Sequence, residues 1–304
     1  MSTVPEPLTT PPAQPLAQQL AALGAGASLP DVQALYEPLL ALQPTDGVLQ
    51  LSPQRYGAHA RQVLDVYRPA AQAGAACPLL LFFHGGGFIR GDKAHKANIG
   101  WHLARHGIVT VLPNYRLAPE HRWPAGPEDV AAALAWARAH AHSLGADPAR
   151  IVLMGESAGA AHVAAACLMQ RFGVSGIRGA ILVSGPYNAR LERLSREAFG
   201  IATPDPRNDA YFGTDEPEAL AAMSITEQLD AAPLPLLISY AERDLLQMQV
   251  QAGELFARLA GRHGFRPELQ VIRHHNHFSQ TLAVNTGDPS LSGPVLDFIA
   301  RHAR

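Results

Sequence analysis

From about Phe82 onward, short apolar runs alternate with longer stretches of helical periodicity, with turn residues between them. The runs are Leu79–Phe83, Ile108–Pro113, Ile151–Met154, Ala180–Val183, Leu236–Tyr240 and Leu269–Ile272, all rich in Val, Ile, Leu or Phe. A strand without apolar–polar alternation belongs in a sheet covered on both faces. Of the helical stretches, Pro127–His142 opens with Pro-Glu-Asp, which suits a first turn. Ala158–Arg171 is dense in alanine, and Gln247–His263 spaces Val250, Leu255, Phe256 and Leu259 helically, with Gly264 as its stop. Pro289–His302 is the last such stretch. The alternation predicts an α/β fold with a mostly parallel sheet. Upstream, Val48–Leu51 and Gln62–Tyr67 read as a leading pair of hairpin strands.

The 304 residues are 47% apolar and 16% charged, enough to bury a sizeable core. Lys and Arg number 24 against 26 Asp and Glu, a formal net charge of -2, so nothing invites a nucleic acid or an anionic membrane. Two cysteines, Cys77 and Cys167, cannot staple such a chain, and a reducing, cytoplasmic setting is expected. No apolar run approaches the roughly 20 residues of a membrane span. The start, MSTVPEPLTTPPAQP, lacks a basic opening and a long apolar segment, and reads as a flexible leader rather than a secretory signal.

Between a strand-like and a helix-like run stands Gly155-Glu156-Ser157-Ala158-Gly159. G-x-S-x-G in that context places a serine on a strained strand-to-helix turn with its hydroxyl exposed. Side chains two residues before or after would collide, hence the glycines. The helix start beneath also offers N–H groups and a positive dipole end. His84-Gly85-Gly86-Gly87-Phe88 follows the first strong strand, and three consecutive glycines are conformationally costly. Such a loop suits a backbone that aims N–H groups at a developing oxyanion. The loop Gly85, Gly86 and Gly87, with Gly86 and Gly87 as its main donors, and Ala158 after the serine form the expected oxyanion hole. His84 reads as a loop-organising hydrogen-bonder. Neither phosphate-loop spacing is present.

Acid and base are expected past later strand ends, in the order serine, acid, histidine. Ala241-Glu242-Arg243-Asp244 follows one strand and Arg273-His274-His275-Asn276-His277-Phe278 another. Asp244 is the expected acid, with Glu242 its rival, and His277 the expected base; His274 and His275 read as solvated loop residues. No metal is expected, since the histidine cluster lacks an H-E-x-x-H pattern and a paired carboxylate. Cys167 reads as inert core.

Together HGGGF at His84–Phe88, YRLAPEHRWPAG at Tyr115–Gly126, GESAG at Gly155–Gly159, AERD at Ala241–Asp244 and NHF at Asn276–Phe278 resemble the hormone-sensitive lipase-like carboxylesterases, the bacterial family IV esterases of the α/β-hydrolase fold. The resemblance spans roughly 61–303. It implies an eight-stranded, mostly parallel sheet with a helical cap, and ester hydrolysis without a cofactor. By position it assigns Ser157, Asp244 and His277 as the catalytic triad and gives Arg116 and Glu120 structural roles near the site. Ala160 departs from the family, where glycine is common. The stretch RYGAHARQVLDVYRPA is similar to small feruloyl-esterase-like and kynurenine-formamidase-like relatives, which leaves an aryl formamide as the alternative substrate. A non-catalytic binding member of the fold is the third reading.

Two segments fall outside the alternation: the amphipathic Leu16–Gln43, and Tyr187–Ala232 with its breakers Pro204, Pro206, Gly213 and Pro217. Insertions of that length are usually lids or binding loops. The expected organisation is a leader and N-terminal cap helix over 1–45 and a hydrolase domain over 46–304, with a cap insertion at about 187–232. Phe88, Trp123, Tyr36 and Phe212 are the expected pocket residues. A small-molecule ester is the expected partner, and the last strand, as a sheet edge, offers a homodimer contact.

Overall fold

The computed structural model describes residues 15–71, 76–262 and 264–303. Residues 1–14 of the expected leader and His263 of the expected helix lie outside the described residues. In chain order the elements are α1 (Leu16–Leu23), α2 (Leu29–Ala41), β1 (Val48–Arg55), β2 (Val63–Pro69), β3 (Cys77–Phe83), α3 (Ala97–Arg105), β4 (Val109–Pro113), α4 (Ala125–His140), β5 (Ala146–Glu156), α5 (Ala158–Leu168) and β6 (Gly179–Val183). Then come α6 (Ala189–Leu194), α7 (Arg196–Phe199), α8 (Pro206–Phe212), α9 (Pro217–Met223), β7 (Leu236–Arg243), α10 (Leu246–Ala260), β8 (Glu268–Asn276), α11 (Ser279–Leu282) and α12 (Ser292–His302).

The eight strands form one sheet in the order β1-β2-β4-β3-β5-β6-β7-β8. Only β2 runs against its neighbours; from β4 to β8 all pairs are parallel. Alternate side chains of each strand feed two cores. Leu79, Leu81 and Phe83 of β3 face Val130, Leu134, Val163 and Leu255 of α4, α5 and α10. Leu80 and Phe82 face Ile99, Leu103, Val295 and Phe298 of α3 and α12. Both faces are therefore apolar, which is why the strands read as unbroken hydrophobic runs. Every residue of α5 is buried, and its alanines let the helix lie close against the sheet.

Where boundaries differ from the sequence reading, the cause is local. Leu16–Gln43 is two helices, because Gly24 turns left-handed at φ 69° and Ser28 caps a fresh start by accepting the Asp31 N–H. α10 stops at Ala260 with Gly261 at its C-cap, before the expected stop at Gly264. The short amphipathic α3 escapes periodicity because only Ile99, Leu103 and Ala104 carry its large or aliphatic buried face. β8 runs on to Asn276, so His274 and His275 lie on a strand end rather than in a loop.

α1 and α2 pack through Leu20, Val32 and Tyr36 onto Leu282 and Ala283, and onto Phe278 beside the last strand. The α6–α9 segment lies between β6 and β7 in sequence. Its root is bolted to α10, where the Gln251 side-chain oxygen accepts from the Tyr187 and Asn188 N–H groups at 2.6 and 2.7 Å.

Phe298 is fully buried and lies so close to Gly179 that a Cβ there would meet its ring at 2.7 Å. Phe298→Ala is expected to cost about 3–5 kcal/mol of stability. Urea unfolding would read this as a lowered midpoint with an unchanged slope.

Candidate active site

β5 ends at Glu156 and α5 begins at Ala158, leaving Ser157 alone at the corner. Its backbone sits at φ 50°, a region L-residues rarely enter. The Ser157 N–H donates to the Val183 carbonyl at 2.8 Å, tying the corner to β6. A Cβ on Gly155 would strike the Gly159 carbonyl oxygen at 2.4 Å, and one on Gly159 would strike the Phe83 carbonyl oxygen at 2.2 Å. Those two glycines are therefore steric requirements of the turn.

Three distant stretches converge on that hydroxyl. His277 Nε2 lies 3.1 Å from Ser157 Oγ, and its Nδ1 lies 2.8 Å from Asp244 Oδ1. The Asp244 carboxylate fixes the tautomer: Nδ1 carries the hydrogen, so Nε2 is free to accept from the serine. Asp244 is buried and fully used. Oδ1 also accepts the Leu245 N–H at 2.9 Å; Oδ2 accepts the Ser184 hydroxyl at 2.5 Å and the Ala241 N–H at 2.9 Å. Burial pushes its pKa up, but the His277 ring and these hydrogen bonds outweigh it and hold the carboxyl below the ordinary aspartate range.

The rivals point elsewhere. Glu242 accepts the His274 N–H at 2.7 Å, away from the serine. His274 is exposed as expected, but His275 is not solvated: it is buried, with Nε2 3.2 Å from Asp288 and Nδ1 3.0 Å from the Ser279 hydroxyl. The three histidines face three different carboxylates and do not converge. Sequence reasoning missed Ser184 and Gln280. Gln280 donates to the Ser184 hydroxyl at 2.5 Å and to the His277 carbonyl at 3.3 Å. A signal existed for Ser184, the first polar residue after the apolar run of β6.

On the other side lies the glycine loop. Gly85 was expected among the oxyanion donors, and the geometry corrects this: its N–H donates to Glu156 Oε1 at 3.1 Å. Glu156 is in turn ion-paired with Lys96 at 2.6 Å, so the Gly85 bond anchors the loop. The N–H groups of Gly86, Gly87 and Ala158 have no acceptor among the described residues. Gly86 must be glycine, since a Cβ there would lie 2.0 Å from the Arg90 carbonyl oxygen. His84 faces away from the serine. Burial lowers its pKa to about 4, its Nδ1 donates to the Gly85 carbonyl at 2.7 Å, and it stacks on Tyr115. Arg116 anchors the following turn on buried Asp129 at 2.9 Å, whereas Glu120 is exposed.

Two cavities meet at Ser157. The larger, about 440 Å³, is walled by the glycine loop, Glu156, His277 and Phe278, and extends to Gln33, Arg90 and His95. The smaller, about 30 Å³, is lined by Phe88, Ala158 and Gly87 with residues of α6, α8 and α10. Of the expected pocket residues only Phe88 lines either. Tyr36 is fully buried between α2 and α11 and packs rather than lines. Trp123 and Phe212 stand behind Phe88, Trp123 edge-on to Phe172 and Phe212 edge-on to Tyr211.

A family model described as the alpha/beta hydrolase fold matches residues 80–280. Esterase LipI of Mycobacterium tuberculosis is 42% identical over 92 residues, 30% of this chain and 29% of that protein. The chain thus aligns with under a third of that relative's length. Esterase B of Lactobacillus rhamnosis superposes with TM-score 0.74 at 20% identity, covering 94% of this chain and 95% of that one. A hyperthermophilic esterase from the archaeon Pyrobaculum calidifontis gives TM-score 0.69 at 25% identity, covering 97% and 98%.

Because the folded Asp244 pKa is depressed, its carboxylate contributes stability in full above the ordinary value, near pH 4, and loses it as pH falls through the lowered folded value. Asp244→Asn should therefore be less stable than the parent at pH 7, with the gap narrowing below about pH 4. Urea titrations at pH 7 and pH 3 measure it; a gap unchanged by pH would contradict the charge assignment.

Proposed function

We propose that this chain, which belongs to the α/β-hydrolase family in its hormone-sensitive lipase-like branch, is a serine carboxylesterase acting on short- to medium-chain or aryl carboxylic esters. The observation that carries the reading is the unbroken line from Ser157 Oγ through His277 to Asp244, at 3.1 and 2.8 Å, beside three N–H groups without acceptors among the described residues.

In this reading Ser157 attacks the ester carbonyl as His277 Nε2 takes its proton. The carbonyl oxygen becomes negative among the N–H groups of Gly86, Gly87 and Ala158. His277, now an imidazolium stabilised by Asp244, gives its proton to the leaving alcohol, and an acyl-enzyme remains. Water, activated by the same nitrogen, attacks the acyl carbon; the acid departs and the serine recovers its proton. Every catalytic group comes from the chain, and water is the co-reactant. Residues 16–43 and about 187–232 serve as the cap.

Esters rather than aryl formamides are our reading. The stretch behind the formamide alternative supports the loop from the rear: Tyr56 donates to the Asn114 carbonyl, and Arg61 to the Tyr115 and Gly91 carbonyls. None of these side chains lines either cavity. No helix of the described residues is long and apolar enough to cross a membrane, and Cys77 and Cys167 are unpaired, which supports a reducing, cytoplasmic setting. The outer edge of β8 is where a second copy would pair.

Ser157→Ala should lower turnover of p-nitrophenyl acetate by about a million-fold. It should also abolish labelling by a fluorophosphonate probe. Retained turnover, or a fluorophosphonate adduct at another residue, would overturn the assignment.

A further inference from the structure

The two cavities differ in what they share with the chemistry. The leaving oxygen must lie within reach of His277 Nε2, because that nitrogen protonates it. The leaving group therefore runs along the wall that contains His277, and His277 lines only the large cavity. The remaining substituent of the tetrahedral carbon, the acyl chain, is then left the other space that meets Ser157, beyond Gly87 and Ala158. Those two residues line the small cavity. At about 30 Å³ it has room for roughly two water-sized groups.

That small cavity is unusually polar for a place expected to hold an alkyl chain. Besides Phe88, Pro186 and Met248, it is lined by Glu192, Arg207, Asn208 and Gln247. Three of these polar groups are already used. Glu192, itself buried, accepts from Asn208 and, at 2.9 Å, from Gln251. Arg207 makes two bonds of 3.0 Å to Asp205. Gln247 is different: it lines the cavity and is only 4% exposed, and its side-chain amide has no hydrogen-bond partner among the described residues. Its amide is not sealed off but open to the cavity, where a ligand group can take the place of water as its partner.

We infer that the small cavity is an acyl pocket for a two- or three-atom acyl chain bearing a hydrogen-bonding substituent, a hydroxyacyl or oxoacyl group rather than an alkyl one, with Gln247 as the residue that reads it. This rests on the esterase reading above. A hydroxyl on the carbon next to the carbonyl reaches the Gln247 amide, which both donates and accepts. A methyl in the same place leaves the amide unpaired. A butyryl or longer chain exceeds the space. The bulk of the substrate, its alcohol, occupies the large cavity.

The test uses phenyl acetate, propionate, glycolate and butyrate, with each kcat/KM divided by the ester's hydroxide-catalysed rate to remove intrinsic reactivity. Glycolate and propionate differ only by hydroxyl against methyl. The expected result is a preference for glycolate over propionate of about ten-fold, the worth of one net hydrogen bond, with butyrate at least about ten-fold below propionate as the overfilled pocket excludes it. Gln247→Leu and the near-isosteric Gln247→Met should both collapse the glycolate-to-propionate ratio toward one. The ratio is taken within each preparation, so partial misfolding of a variant does not mimic it. Equal use of glycolate and propionate by the parent, or a ratio that survives both substitutions, would overturn the inference while leaving the esterase reading intact. Failure to hydrolyse any of the four esters, with no fluorophosphonate adduct at Ser157, would end both.

Discussion

Everything at this site depends on one backbone conformation, the left-handed turn at Ser157. A residue held in such a region costs of order 1–3 kcal/mol, and it persists only where its surroundings over-determine it. Here they do. The Ser157 N–H is held by Val183, the preceding strand is central in the sheet, and the following helix is buried along its whole length. The turn projects the hydroxyl clear of the backbone and, in the same step, leaves the Ala158 N–H at a helix start with nothing to bond. The proposed nucleophile and the proposed oxyanion donor are thus two outcomes of a single set of dihedral angles.

The sheet explains why the other groups arrive there. β3 lies between β4 and β5, so the chain crosses from β3 to one side and returns past it to the other. Ligands of open α/β sheets bind at the carboxyl ends of strands where the order reverses. The glycine loop leaves the end of β3 and the serine leaves the end of β5. β6 contributes a second residue of unusual backbone, Ser184 at φ 51°, whose hydroxyl bonds the carboxylate at the end of β7. Asp244 thereby stays charged while buried: four donors replace the water it lost. The imidazole follows the end of β8. Five parallel strands thus deliver one polar cluster to one rim of the sheet.

How legible this was depended on the range of the interaction. Gly155 and Gly159 betrayed the turn because a steric demand two residues away is written in local sequence. The central strands were equally plain, since burial on both faces leaves few polar residues in the runs. Ser184 and Gln280 were harder to read: Ser184 showed only as the first polar residue after an apolar run, and each bonds a partner far off in the chain, 60 and 96 residues away respectively. Gly85 misled for the same reason. Its place in a run of three glycines resembles that of its neighbours, and only the Glu156 carboxylate, from another strand end, reveals that its N–H is already bound. Tyr36 and Trp123 misled differently, because large aromatic side chains serve a pocket wall and a packing contact equally well. His275 read as loop because five consecutive polar residues, 273–277, hide a strand end, with His275 itself satisfied by Asp288.

The α6–α9 segment shows the same division at larger scale. Its prolines and charges marked it as an insertion, but its reach into the site is a matter of tertiary geometry. Arg207 lies against the glycine loop so tightly that a Cβ on Gly87 would come within 2.8 Å of its side chain. One turn later Tyr211 stacks face to face on Phe88, with ring centres 4.2 Å apart. Phe88 itself holds a positive φ of 68°. A short helix from the insertion therefore braces two successive residues of a loop that three glycines leave intrinsically loose. In the proposed reaction, removing conformational choice from that loop before substrate arrives would leave its donors with no reorganisation to make as charge develops on the carbonyl oxygen, and preorganisation of that kind is where such sites gain most of their rate.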